Sequence, residues 1–252
     1  MPTENTENTK NTENTENTEN TENTENTADT ENTNTTAALE ALRHSDASVR
    51  LKAALAIGTA PDARSIDALI ERCAVEPEFY VRDMLTWALT RHPPQVTVPK
   101  LIQELRSDRA QARSQALHTL SKIGDRQAWP AITRTHLTEA DDAVAQSAWR
   151  AAVILVPEAE KPALAAILAT QLGRGGRETQ VSLSRALTSL GAAAEPALRT
   201  AQTHTDARVR QHAMATERLL RDPDAAFEFA LHEAKRIVAL GHPTVRRREA
   251  RC

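Results

Sequence analysis

Along residues 37–240 small and apolar side chains return at helical spacing, and the whole pattern returns after about 30 residues. Its clearest mark is Val49-Arg50, echoed by Val81-Arg82, Ala112-Arg113, Val144-Ala145, Thr179-Gln180 and Val209-Arg210, at spacings of 32, 31, 32, 35 and 30 residues. Four and seven positions past each anchor stand Ala53 and Ala56, Leu85 and Ala88, Ala116 and Thr119, Ala148 and Ala151, Leu183 and Ala186, and Ala213 and Thr216. That is one face of a helix, and its small side chains let neighbouring helices approach closely. Three positions before most anchors lies an acid, Asp46, Glu78, Asp141 or Asp206, with Asp108 one place further back. A carboxylate there caps a helix start and complements its dipole.

Breakers follow on schedule: Gly58 with Pro61-Asp62, Pro93-Pro94, Gly124-Asp125, Pro157, Gly191 and Asp222-Pro223. Each is expected to close a helix. A second amphipathic stretch comes after each breaker, as in Ile66-Asp67-Ala68-Leu69-Ile70, Val98 to Leu105, Trp129 to Leu137, Leu164 to Leu172 and Ala197-Leu198. Every repeat therefore predicts a helical hairpin, and residues 225–240 predict one more helix. The fold class that follows is all-α: a right-handed α-solenoid of about six hairpins plus a terminal helix, over residues 37–240. Residues 241–252 are expected to be a frayed basic end.

Composition supports a thin, aliphatic interior. Of the 252 residues 40% are hydrophobic but only 3% aromatic, which suits stacked helices better than a sandwich or barrel. The formal charge of −3 conceals two unlike parts. Residues 1–36 repeat Thr-Glu-Asn with period three and carry nine acidic residues against Lys10. With no apolar side chain to bury, this tract is expected to stay disordered, as a solubilising arm, a decoy for a basic groove, or an expanded triplet without function. The remaining body holds 30 basic and 25 acidic residues and is mildly basic. Cys73 and Cys252 show no metal-ligand spacing, and no secretory signal or membrane-spanning run is present, so a cytoplasmic protein without structural disulfides is expected.

The hairpin length, the acidic turn, the Val-Arg opening and the close Lys122-Ile123-Gly124-Asp125-Arg126-Gln127-Ala128-Trp129-Pro130-Ala131-Ile132 together resemble short bacterial HEAT repeats of the PBS-lyase type. The stretches Phe79 to Pro93 and Ser114 to Leu120 are also similar to actinobacterial HEAT proteins, some of which follow a MerR-type DNA-binding domain. No such domain precedes the repeats here. The resemblance implies a scaffold or adaptor that binds a protein, with a regulatory or sensor module as the runner-up. It also brings in two enzyme classes of the same architecture, bilin lyases and DNA glycosylases. The modest basicity of the body argues against nucleic acid, and the single His232-Glu233 pair argues against HEAT-type iron hydroxylases.

No catalytic, metal-binding or cofactor-binding signature is found, so the reading is non-enzymatic and without cofactor. HEAT-like solenoids bind along a concave face lined by their second helices. Six positions past each anchor stand Leu55, Trp87, His118, Arg150, Arg185 and Ala215. Helical spacing adds Asp83 and Arg91 around Trp87, and Lys122 beside His118. Trp87, His118, Arg150, Arg185, Asp83, Arg91 and Lys122 are therefore the candidate partner-binding residues, since Trp and Arg most often dominate interfaces. Arg50, Arg82, Arg113 and Arg210 form a separate ladder, read as bracing the acidic turn of a neighbouring repeat. The Gly173-Arg174-Gly175-Gly176-Arg177 loop is expected to be flexible, and Met84 and Met214 to be core filler.

Overall fold

A computed structural model of the chain describes residues 35–222. Among these, helix α1 covers 35–41 and is followed by α2 (Ala47–Thr59), α3 (Ile66–Cys73), α4 (Phe79–Thr90), α5 (Pro94–Glu104), α6 (Ala110–Ile123), α7 (Arg134–Leu137), α8 (Asp142–Leu155), α9 (Lys161–Ala169), α10 (Arg177–Ser189), α11 (Glu195–Ala201) and α12 (Ala207–Arg221). No strand occurs among the described residues. The even-numbered helices begin at the sequence anchors. Helix α1 already includes Thr35 and Thr36, two residues ahead of the predicted boundary. The predicted terminal helix, the basic end, Cys252 and His232-Glu233 lie outside the described residues.

The chain divides into two compact units, Met1–Ala131 and Ile132–Cys252. In the first, the described helices pair as α3/α4 and α5/α6, with α1 ahead of α2 in the chain. In the second they pair as α7/α8, α9/α10 and α11/α12. Within each unit successive even-numbered helices pack on one another, α2 on α4 and α4 on α6, then α8 on α10 and α10 on α12. The predicted seam is the reason: Ala53, Leu85, Ala116, Ala148, Leu183 and Ala213 are all buried. So are Ala88, Thr119, Ala151, Ala186 and Thr216, whereas Ala56, on the first long helix, is exposed.

Caps follow the sequence only in part. Asp46 accepts the Ser48 N–H at 2.8 Å, Asp141 those of Ala143 and Val144 at 2.9 and 3.2 Å, and Asp206 that of Arg208 at 2.8 Å. The Ser48 N–H, together with the Ser48 hydroxyl, holds the Asp46 carboxyl below its ordinary range. Glu78 occupies the cap position of α4 without a side-chain bond, its longer stem being poorly suited to the turn, and Arg109 rather than Asp108 precedes α6. The stretch predicted as one helix from Trp129 to Leu137 is a 3₁₀ turn (Arg126–Ala131) and the four-residue α7. Pro130 removes a backbone donor inside it.

Gly58 does not close α2. It is buried within the helix, where a Cβ would stand 2.3 Å from the Trp87 ring and 2.9 Å from the Ala88 Cα. Its absent side chain is what lets α4 approach α2. Met214 is likewise not core: it is 54% exposed, because none of the described residues covers that side of α12.

The ladder arginines each brace the turn of their own repeat, and Arg50 braces the acidic turn of the next one as well. Arg50 donates to the carbonyls of His44 and Ser45, Arg82 to those of Glu76 and Pro77, Arg113 to that of Ser107, and Arg210 to those of His204 and Thr205, all at 2.6–2.9 Å. In each case the acceptors lie five or six residues upstream, in the turn that delivers the chain into the long helix. Arg50 also crosses to the next hairpin, gripping the buried Glu76 carboxylate with two bonds of 2.7 Å. Burial alone pushes the Glu76 carboxyl upward, but Arg50, the Glu78 N–H and Arg72 outweigh it and hold it at about 2.

Where the ladder residue is Ala145, the chain finds a substitute. Arg174, from the glycine-rich loop, donates at 2.9 Å to the Ala140 carbonyl, five residues before Ala145, and pairs with Asp142 at 2.6 Å. Gln180 fills the same role in the following repeat, reaching the Gly175 carbonyl at 3.2 Å. The loop is therefore shaped by its task. Gly173 and Gly175 adopt φ values of 80° and 65°, accessible to glycine with little strain, and these turns aim Arg174 at Asp142 and over the Trp149 ring, 6.0 Å from its centroid.

A candidate binding face on the long helices

The long helices leave one register exposed. In the first unit it presents Leu55 on α2, Trp87 on α4 and the partly covered His118 on α6. Trp87 is 38% exposed, one side of its ring resting over Gly58, so it is half anchor and half open surface. Asp83 and Lys122 are exposed on α4 and α6, and Arg91 is exposed at the end of α4. The exposed aromatic pair Phe79 and Tyr80, ring centroids 5.5 Å apart and edge to face, lies at the start of α4 and was not singled out as a binding feature from sequence.

In the second unit the same register supplies Arg150 on α8 and Arg185 on α10, and here the two meet. A cleft of about 740 Å³ opens between the helices, lined by Gln146, Arg150 and Val153 from α8 and by Arg177, Glu178, Val181, Ser182 and Arg185 from α10, with Ala186 and Ser189 beside them. The spacing explains the geometry, because residues 146, 150 and 153 share one face of α8 while 178, 182, 185 and 189 share one face of α10. The helices are held at one end by Gln146, which donates to the Thr179 hydroxyl at 3.2 Å, and by Thr179, which donates to Asp142 at 2.9 Å. Glu178 was not singled out from sequence as a residue of this face, although stepping back seven residues from Arg185 along the helix finds it. Arg174, the loop's other arginine, points instead into the Asp142 brace.

Other reactive groups are enclosed. Burial pushes the Cys73 thiol up to about 12, away from the thiolate chemistry of a nucleophile. Two buried serine–histidine pairs, Ser65–His92 and Ser184–His212, each have Oγ and Nε2 3.0 Å apart. The first ties the two ends of the α3/α4 hairpin together and the second joins α10 to α12, and all four side chains are buried. Among the described residues no group of three or more His, Cys, Asp or Glu side chains is gathered to hold a metal ion, and no helix is long and apolar enough to cross a membrane.

Comparison with solved structures decides the fold. Karyopherin Kap121p, in a structure bound to the extreme C-terminus of the protein phosphatase Cdc14p, aligns with a TM-score of 0.53 and 18% identity over 73% of this chain. The fold is HEAT-like. That alignment spans only 23% of the karyopherin, so the likeness concerns the repeat architecture. The complex of CpcE and CpcF of phycocyanin lyase from Nostoc sp. PCC7120 aligns over 73% of this chain and 75% of its own, with 20% identity and a TM-score of 0.43. No protein family and no curated protein matches the sequence.

Proposed function

We propose that this protein is a non-enzymatic cytoplasmic scaffold or adaptor that binds a protein partner through the exposed faces of its long helices. One observation carries the reading. The register that each long helix turns away from its neighbours holds Trp87 in one unit and Arg150 and Arg185 in the other, residue types that most often dominate protein interfaces, and the two arginines open onto a cleft. Stacked hairpins are suited to this work, because each repeat adds a similar surface element to an extended face. The structural likeness supports the fold only; the function rests on these residues. The similarity to HEAT proteins linked to MerR-type domains gains no support from the comparisons.

Photo-crosslinking in the native host tests the proposal. Benzoylphenylalanine placed at position 87 or 185 should yield a discrete protein adduct, whereas placement at Arg199, exposed on the short helix α11, should not. Adducts from position 199 alone, or from none of the three, would overturn it.

A further inference from the structure

We infer that the cleft between α8 and α10 selects an acidic segment of the partner that also carries apolar side chains, an inference that deepens the proposed protein-binding role and rests on it. Three guanidinium groups, of Arg150, Arg177 and Arg185, line the cleft against a single carboxylate, Glu178. A guanidinium offers a planar fork of donors matched to a carboxylate, so arginines from two facing helices can take carboxylates on both sides of one bound segment. Any pairing these arginines make within the chain leaves further N–H donors, since each guanidinium has five.

Beside the charged and polar groups part of the wall is apolar. Val153 and Val181 line the cleft, and Val181 is 39% exposed, which gives a bound leucine or similar side chain somewhere to be buried. The same composition disfavours nucleic acid. No aromatic ring lines the cleft for a base to stack on. Glu178 also gives the proposal a test of opposite sign, because its carboxylate must weaken an acidic ligand.

The experiment is fluorescence anisotropy on the full chain with three labelled probes: a peptide of Glu-Glu-Leu triplets, its Gln-Gln-Leu counterpart, and an oligothymidylate of matching length. The acidic peptide should bind, and less tightly as salt is raised. Arg150→Gln and Arg185→Gln should each weaken it about fivefold. Glu178→Gln should tighten it about twofold, a gain that damage to the fold would not produce. Arg199→Gln on α11 should leave it unchanged. Failure of the acidic peptide to bind, equal binding of the Gln-Gln-Leu peptide, tighter binding of the oligonucleotide, or indifference to Arg150→Gln and Arg185→Gln would overturn the inference. Persisting crosslinks from positions 87 and 185 in that event would show that the acidic preference has failed while the protein-binding role stands.

Discussion

The packing of α4 on α2 depends on one absent side chain. At Gly58 a methyl group would meet the Trp87 ring at 2.3 Å and the Ala88 backbone at 2.9 Å. Alanine gains at most about 1 kcal/mol of helix propensity over glycine, while overpacking costs about 1 to 3 kcal/mol. Gly58→Ala should therefore lower stability and move the Trp87 ring, read together from a denaturant melt and tryptophan fluorescence; a melt at or above wild type would contradict the packing. A second residue-scale effect lies in His212. The Gly173 N–H donates to its Nδ1 at 3.0 Å, so Nε2 carries the proton and faces the Gln180 carbonyl at 3.1 Å. Burial lowers the His212 pKa below its ordinary 6.5, with the Gln180 carbonyl opposing. The unfolded chain then takes up a proton first on acidification. The stability gained from a neutral His212 is complete above 6.5 and is lost as pH falls from there through the lower folded value. Denaturant midpoints of wild type should fall across that interval more steeply than those of His212→Gln, and parallel slopes would exclude the effect.

At the scale of elements, a recurrent grip on the turn before each long helix orders the hairpins, and its irregular case shows how much was legible beforehand. Val-Arg pairs were visible in sequence, and their contacts with turn carbonyls are local, so position alone located the arginines. The expected brace across to a neighbour's acidic turn is found at Arg50, but the arginines also hold their own turns, because a guanidinium five or six residues downstream lies within reach of those carbonyls. Arg174 was not legible at all. It replaces the arginine missing at Ala145 from a loop about 30 residues later, a tertiary substitution with no periodic signal, and the same glycines that suggested flexibility are what fix its direction. Arg174→Ala should cost about 1 to 3 kcal/mol through lost charge-assisted hydrogen bonds. The loss should concentrate at the start of α8, since contacts in stacked repeats are between neighbours. Hydrogen exchange resolved by peptide checks this, and loss of protection spread evenly over α8, α10 and α12 would contradict it.

Across the whole molecule, hairpin count and helix order within the described residues follow from the 30-residue periodicity, which reports burial directly. Site chemistry was legible only as far as register. Six positions past each anchor found Trp87, Arg150 and Arg185, but Arg177, Glu178 and Val181 belong to the cleft through the packing of α8 against α10, which no single-helix pattern contains. The central claim is that partners bind the exposed face of the long helices. Hydroxyl-radical footprinting of the full chain, alone and with its crosslink-identified partner, tests that most directly, because it reads side-chain exposure one residue at a time. Oxidation of Trp87 and Val181 should fall in the complex while that of Val96, exposed on the short helix α5, stays constant. Protection of Val96 with Trp87 and Val181 unchanged would place the partner on the other helices and contradict the account.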